Sequence, residues 1–371
     1  MKQTSPDNAV AGASDLPAVN STLAAHPRGF ASDNYSGAHP EVIAAITAAN
    51  VGHASAYGTD AWTERFSEIV RGHFGVNAEA YPVFNGTGAN VLSLQAALPR
   101  WGAVVTVRSA HINVDEGGAP EKVAGIKILG VPSPDGKLTP ELVDREAWGW
   151  GDEHRAQPLA ISISQSTEFG TCYTPTEVRA LADHAHERGM VLHMDGSRLS
   201  NAAARLGTSL AELTVDAGVD VLSLGGTKNG LLGAEAVIAL NPQAVPGLAY
   251  LRKLNMQLGS KMRFVSAQLA ALYEGDLWLR SAGHSNAMAD RLRAGLEKLI
   301  AEDSNTEIVL PYATQSNVVF AELPADIKAR AHDAFHFYDW PGDPRLVRLM
   351  CSFDTTEADV DALLSVISGA E

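Results

Sequence analysis

Cysteine is scarce in this chain. Of 371 residues only Cys172 and Cys351 are cysteines, too few for a disulfide scaffold or a Cys-rich zinc site, and such sparing use suits a reducing cytoplasm. Positive charge is also in deficit. Lys and Arg number 28 against 43 Asp and Glu, a formal net charge of −15. A surface this acidic argues against general binding to nucleic acid or anionic membrane, both of which need a basic face. It leaves room for a local basic pocket that takes a small anion. No apolar run approaches the roughly 18 residues of a membrane span. The opening stretch MKQTSPDNAVAGASDLPAVNSTL lacks the apolar core of a signal peptide, and residues 1–27 read as a mobile extension. Metal spacing is missing too: His184 and His186 stand two apart on one predicted helix and so do not share a face. Trp148, Trp150, Trp278 and Trp340 read as packing residues.

What the chain does have is ordinary globular composition, 46% hydrophobic and 19% charged, with a regular rhythm. Between about residues 40 and 240, helical periods alternate with short apolar runs: YPVF (81–84), AVVTVR (103–108), IKILGV (126–131), PLAISIS (158–164), MVLHM (190–194) and VDVLSL (219–224). Such alternation predicts an α/β fold, a mostly parallel sheet flanked by helices. After about residue 242 the rhythm changes. Long helices are expected over 243–256, 262–275 and 278–302, then strands at TEIVL, NVVFAEL and LVRLM, then a closing helix. We therefore expect a large domain over 28–276, with 28–40 as an arm reaching the active site, and a small α+β domain over 277–371.

Ligand sites in open parallel sheets lie beyond the carboxyl ends of the strands, and three such ends carry distinctive residues. MVLHM runs into Asp195-Gly196-Ser197-Arg198. VDVLSL runs into Gly225-Gly226-Thr227-Lys228-Asn229-Gly230. The turn Asn85-Gly86-Thr87-Gly88-Ala89-Asn90 joins a strand to a helix, where exposed N–H groups and the helix dipole favour a phosphate. Taken singly these are weak. The Lys228 loop is not a P-loop, the 86–90 turn lacks the third glycine of the dinucleotide fingerprint, and a salt bridge or two turns would explain Asp195 and Lys228. Together they supply an amine, an anion and an anion hole, the three things that pyridoxal 5′-phosphate needs.

In order along the chain stand SDN (32–34), YGTD (57–60), GTGAN (86–90), SAHINVDEGGAPE (109–121), SQSTEFG (164–170), LHMDGSR (192–198), GGTKNG (225–230), SKMR (260–263) and RLMCSFDTT (348–356). With these nine segments the chain resembles the threonine aldolase and β-eliminating lyase family of fold-type-I pyridoxal-phosphate enzymes, closest to the low-specificity L-threonine aldolase and L-phenylserine aldolase type. The resemblance implies a lyase that cleaves a β-hydroxy-α-amino acid to glycine and an aldehyde, acting as a cytoplasmic homodimer or homotetramer with shared active sites. It implies that Lys228 forms the imine with the cofactor, that Asp195 pairs with the pyridine nitrogen, that Gly86, Thr87 and Gly88 bind the phosphate, and that His111 stacks on the ring. Arg198 and Arg348, helped by Ser32, would grip the substrate carboxylate, and Tyr57 would come from a neighbouring subunit. Many bacterial members carry a histidine where this chain has Glu168. That departure leaves the base open between His111, Glu168 and water. The same scaffold serves other β-lyases, and an inactive relative acting as a binding protein would keep it too.

Overall fold

A computed structural model describes residues 28–303 and 306–369; the extension expected at 1–27 lies outside them. Seven strands form the main sheet: β1 (Glu79–Val83), β2 (Gly102–Val107), β3 (Lys127–Val131), β4 (Gln157–Ser164), β5 (Val191–Gly196), β6 (Val221–Leu224) and β7 (Glu235–Ala239). Their order is β1-β7-β6-β5-β4-β2-β3. The pairs β3–β2, β2–β4, β4–β5 and β5–β6 are parallel, whereas β7 runs antiparallel to β6 and to β1. The expected α/β class and mostly parallel sheet hold, with the antiparallel pairs confined to one edge. β2 and β6 are buried along their whole length, which is why they read as short apolar runs rather than alternating ones; β7 is buried too but is not among the strands expected from the sequence.

The helix Pro175–His186 shows how local sequence sets an element. Thr174 and Glu177 form a reciprocal capping box, Pro175 occupies the first turn, and Val178, Leu181, Ala182 and Ala185 are buried on one face. In register, Ser164 of β4 sits beside Asp195 of β5, and Asp195 beside Ser223 of β6. The chemistry-bearing loops therefore leave adjacent strands at the same level.

A second, three-stranded sheet holds β8 (Val318–Glu322), β9 (Tyr338–Asp339) and β10 (Leu346–Met350) in the order β8-β10-β9. Its core joins Leu292, Leu296, Val319, Leu349 and Leu363 with Phe30 from the other end of the sequence. The Phe30 N–H donates to the His336 carbonyl and the Met350 N–H to the Phe30 carbonyl, both at 2.8 Å, so the segment after residue 28 lies along the small sheet. The helix expected over 243–256 is only Leu248–Leu254, because Gly247 before it is left-handed and Met256 after it has φ of 61°. TEIVL is not a strand but a single bridge from Val309 to Glu322. The helix Ala325–Ala334 has no signal in the sequence, since it buries only Ala331 fully and shows little apolar period.

Candidate active site

The loops after β2, β4, β5 and β6 converge at the carboxyl end of the sheet, and two cavities meet there. One, of about 260 Å3, is lined by Asn85, Gly86, Thr87, Gly225, Thr227 and Glu235. The other, of about 470 Å3, extends toward the small sheet. Asp195, Lys228, His111 and Ser197 border both.

The smaller cavity is an anion cup. The helix Gly86–Ala97 begins at its edge, capped by Asn85, whose Oδ1 accepts the Gly88 N–H at 2.7 Å. The N–H groups of Gly86 and Thr87 have no intrahelical acceptor and point out of the helix start, where the dipole favours negative charge. Gly88 differs from the expectation for it: its N–H is committed to the cap, so it is not free to donate to a phosphate. Its lack of a side chain matters instead, because a Cβ there would lie 2.5 Å from the Gln257 side chain. Gln257 Oε1 accepts the Phe84 N–H at 3.0 Å and so braces the loop leading into the cup.

Lys228 sits in a single turn between β6 and β7. Glu235 holds that turn by accepting the N–H groups of Gly226 (2.7 Å) and Thr227 (3.2 Å). The Lys228 amine has no hydrogen-bond partner among the described residues. Burial, reinforced by the Arg198 charge, pushes its pKa below that of an ordinary lysine. A nucleophilic amine needs that shift. Asp195 is buried at the end of β5. Burial alone would raise its pKa, but the charges of Lys228 and His111 and a hydrogen bond from Asn90 hold it below the usual carboxylate range. It is a persistent anion, as a cationic ring nitrogen requires.

His111 opens a one-turn helix, His111–Val114. Its Nδ1 is 2.8 Å from Glu116 Oε1, and its backbone N–H donates to Glu168 Oε1 at 2.9 Å. The Ser164 hydroxyl donates to that same Glu168 oxygen at 2.7 Å, while Glu168 Oε2 is buried without a partner. Burial raises the Glu168 pKa above that of an ordinary glutamate, against the hydrogen bonds from Ser164 and the His111 backbone.

At the far end of the larger cavity two guanidinium groups face inward. Arg198 Nε and Nη2 donate to Asp33 Oδ2 and Oδ1 at 2.7 and 2.9 Å, and Asn317 Nδ2 donates to Asp33 at 3.0 Å. Arg348, on β10, gives one donor to the Ala31 carbonyl at 3.1 Å, while its buried Nε has no partner. Burial and the neighbouring Arg198 charge lower its pKa. Two cations lodged together with donors to spare make a seat for a carboxylate. Ser32 lines the same space, and so do Phe169, Val318, Trp340, Pro341 and Met350. Trp340 is therefore not merely packing: it forms part of the wall of the cavity.

The structure thus brings Lys228, Asp195, Gly86, Thr87, His111, Glu168, Arg198, Arg348 and Ser32 to one place. It does not bring Tyr57, which is about half exposed, lines neither cavity, and stacks under Lys253 at 4.8 Å. Sequence reasoning misses Asp33, Asn90, Glu116, Glu235, Gln257 and Asn317. Asp33, Asn90 and Glu116 lie inside the ordered segments, yet nothing in their spacing announces a partner; the others lie outside every such segment. Among the described residues no cluster of His, Cys, Asp and Glu could hold a metal ion, and no helix is long and apolar enough to cross a membrane.

The beta-eliminating lyase family model matches residues 29–323. The chain is 42% identical to a protein named low specificity L-threonine aldolase from a Pseudomonas species, over 91% of this chain and 96% of that relative. It is likewise 42% identical to the low specificity L-threonine aldolase of Pseudomonas aeruginosa, over 89% of this chain and 94% of the relative. Among solved structures, the threonine aldolase of Leishmania major superposes with a TM-score of 0.86 at 28% identity, covering 92% of this chain and 99% of that one.

Proposed function

The chain belongs to the beta-eliminating lyase family, and on that footing we propose that it is a pyridoxal-phosphate-dependent, low-specificity L-threonine aldolase that splits β-hydroxy-α-amino acids into glycine and an aldehyde. The observation that carries this reading is one continuous site with a partnerless amine (Lys228), a buried anion (Asp195), an anion cup (Gly86 and Thr87) and a twin-guanidinium seat (Arg198 and Arg348).

The donor set fits the cofactor. Lys228 would bond it, Asp195 would pair with its ring nitrogen, and the Gly86 and Thr87 N–H groups with the Thr87 hydroxyl would hold its phosphate. When bound, it supplies an electron-accepting ring that stabilises the carbanion left as Cα–Cβ breaks. Arg198, braced by Asp33, and Arg348 fix the substrate carboxylate, with Ser32 beside them, and so orient the bond to be cleaved. His111 takes the proton from the β-hydroxyl as the aldehyde forms. Glu168 steadies it from behind, accepting the His111 backbone N–H and the Ser164 hydroxyl. The apolar wall of Phe169, Val318, Trp340 and Met350 receives the substrate side chain and has room for an aryl as well as a methyl group.

We infer further that the enzyme is a homo-oligomer. Tyr57, Tyr250, Leu254 and Met256 are more than half exposed, an apolar surface that a second copy would cover, carrying Tyr57 to the partner's site. We place the enzyme in the cytoplasm, a reading supported by its two buried, unpaired cysteines, and take residue 277 as the start of the small domain.

The test is aldehyde release coupled to alcohol dehydrogenase, with L-threonine, L-allo-threonine and L-phenylserine as substrates and D-threonine as control. We expect aldehyde and glycine from the L-amino acids. Lys228→Ala should give neither turnover nor the yellow colour of bound cofactor. Pyruvate and ammonia in place of aldehyde, or full activity in the Lys228→Ala variant, overturns the reading.

A further inference from the structure

We propose that Glu116 and Asn90 are positioning residues that hold the His111 imidazole with Nδ1 protonated and Nε2 turned to the cavity as the proton acceptor. The proposal rests on the aldolase reading, in which His111 takes the hydroxyl proton, and adds what orients it.

The geometry is a chain of four side chains. Asn90, in the first turns of the helix Gly86–Ala97, donates through Nδ2 to Glu116 Oε1 at 2.8 Å and to Asp195 Oδ2 at 2.9 Å. Glu116 Oε1 also meets His111 Nδ1 at 2.8 Å. The Glu116 side chain is wholly shielded from solvent. An amide nitrogen offers only hydrogens, so Oε1 acts as an acceptor toward Asn90. With Glu116 as the carboxylate, the same oxygen accepts from His111 as well, which places the shared proton on Nδ1. In a neutral ring this leaves the lone pair on Nε2, and Nε2 has no protein partner among the described residues. A carboxylate behind a histidine, fixing tautomer and orientation, is a recurrent way to prepare a general base.

Two features of this arrangement cost stability rather than add to it. Glu116 Oε2 and Asn90 Oδ1 are both buried without a hydrogen-bond partner, and unsatisfied buried polar atoms cost free energy. Glu116 also has no lysine or arginine partner among the described residues; its contacts are the histidine and the amide. The charged groups facing His111 are Glu116 on its own segment, Asp195 from β5, Lys228 from the turn after β6, and Glu168, which accepts its backbone N–H; Asp115 and Arg198 line the same cavity. The Glu116 hydrogen bond raises the His111 pKa most, against burial, and burial raises that of Glu116. Through Asn90 the base is tied to Asp195, so the two ends of the reaction share one support.

The experiment is nitrogen NMR of the 15N-histidine-labelled holoenzyme, with the His111 signals assigned by their loss in His111→Gln. The wild-type enzyme should show the Nδ1–H tautomer at high pH. In Glu116→Gln, which keeps shape and an acceptor oxygen but removes the charge, the His111 midpoint should move to lower pH. The acid limb of the kcat profile should move with it, KM for the amino acid should stay near wild type, and kcat should fall by less than the roughly 10²–10⁴-fold that loss of a general base itself causes. An Nε2–H tautomer in the wild-type enzyme overturns the proposal without reference to any variant. So does an unmoved midpoint in Glu116→Gln. Absence of aldehyde release by the wild-type enzyme overturns the aldolase reading instead, and normal release with an unmoved His111 overturns this proposal alone.

Discussion

The two ends of the active site are built differently. The anion cup is made from two loops, each held chiefly by partners close in sequence: Asn85 caps its own helix at Gly88, and Glu235 holds the turn of Gly226 and Thr227 only nine and eight positions away, with Gln257 the one long-range brace named, 173 positions from Phe84. The carboxylate seat is made from side chains that meet across the whole chain. Asp33 and Arg198 are separated by 165 positions, Asp33 and Asn317 by 284, and Arg348 and Ala31 by 317. A local cup tolerates change elsewhere in the fold. A seat assembled from three distant segments depends on the small sheet, the opening segment and β5 being docked together, so damage there should be felt both as lost stability and as lost substrate binding.

The sharpest test of this contrast is Asp33→Ala. It leaves the buried Arg198 guanidinium without its counter-ion, which for buried pairs costs about 3–5 kcal/mol. Denaturant melts should show a loss of that order, and KM for the amino acid should rise. A variant as stable as wild type would remove the distinction between the two ends. Next comes Trp340→Ala, at the apolar wall of the seat. It should lower kcat/KM for phenylserine about tenfold more than for threonine, matching the ~1.4 kcal/mol of an aromatic contact; equal losses on both substrates would assign Trp340 to packing after all.

Gly88→Ala probes the cup. Its Cβ would displace Gln257, a flexible side chain, and loosen the Phe84 hydrogen bond. We expect cofactor affinity, followed by absorbance on reconstitution, to weaken about fivefold, the ~1 kcal/mol of one hydrogen bond, with little change in melting. The smallest effect concerns pH. Glu168 has a raised pKa in the folded state because of burial, so folding favours its protonated form. Its contribution is fully present below the ordinary glutamate value and is lost as pH rises through the folded one. Glu168→Gln should abolish that loss, so the drop in melting temperature from pH 5 to pH 8 should be shallower than in wild type.

The cup's residues are legible in the sequence because each signal is short-range. Gly86, Thr87 and Lys228 sit at strand ends with glycines beside them, and that pattern has a local cause, the tight turn and the free N–H groups of a helix start. Arg198 and Arg348 emerge through resemblance to a family, since nothing in their own neighbourhoods marks a carboxylate seat. Their supports, Asp33 and Asn317, give no signal at all, because hydrogen bonds across hundreds of residues leave no spacing to read. Trp340 does pack, against Phe169 and Phe320, but that it also lines the cavity is illegible for the same reason: an aromatic residue in a loop is ambiguous until its neighbours are known. The helices over 262–275 and 278–302 are legible to within a few residues as Arg263–Tyr273 and Leu277–Glu302, whereas the bounds at 243–256 fail because the backbone at Gly247 and Met256 turns left-handed.

Periodicity, strand-end glycines and an ordered series of motifs are therefore enough to point to a mostly parallel α/β sheet with a lysine, an aspartate and a glycine-rich helix start at one rim, for these depend on interactions within a turn or two of chain. Which carboxylate stands behind which cation, that Asn90 bridges Glu116 and Asp195, and that burial raises the pKa of Glu168 beside His111 are decided by packing alone. Those properties follow from distance and exclusion of water, and both come into being only when segments far apart in the chain are folded against one another.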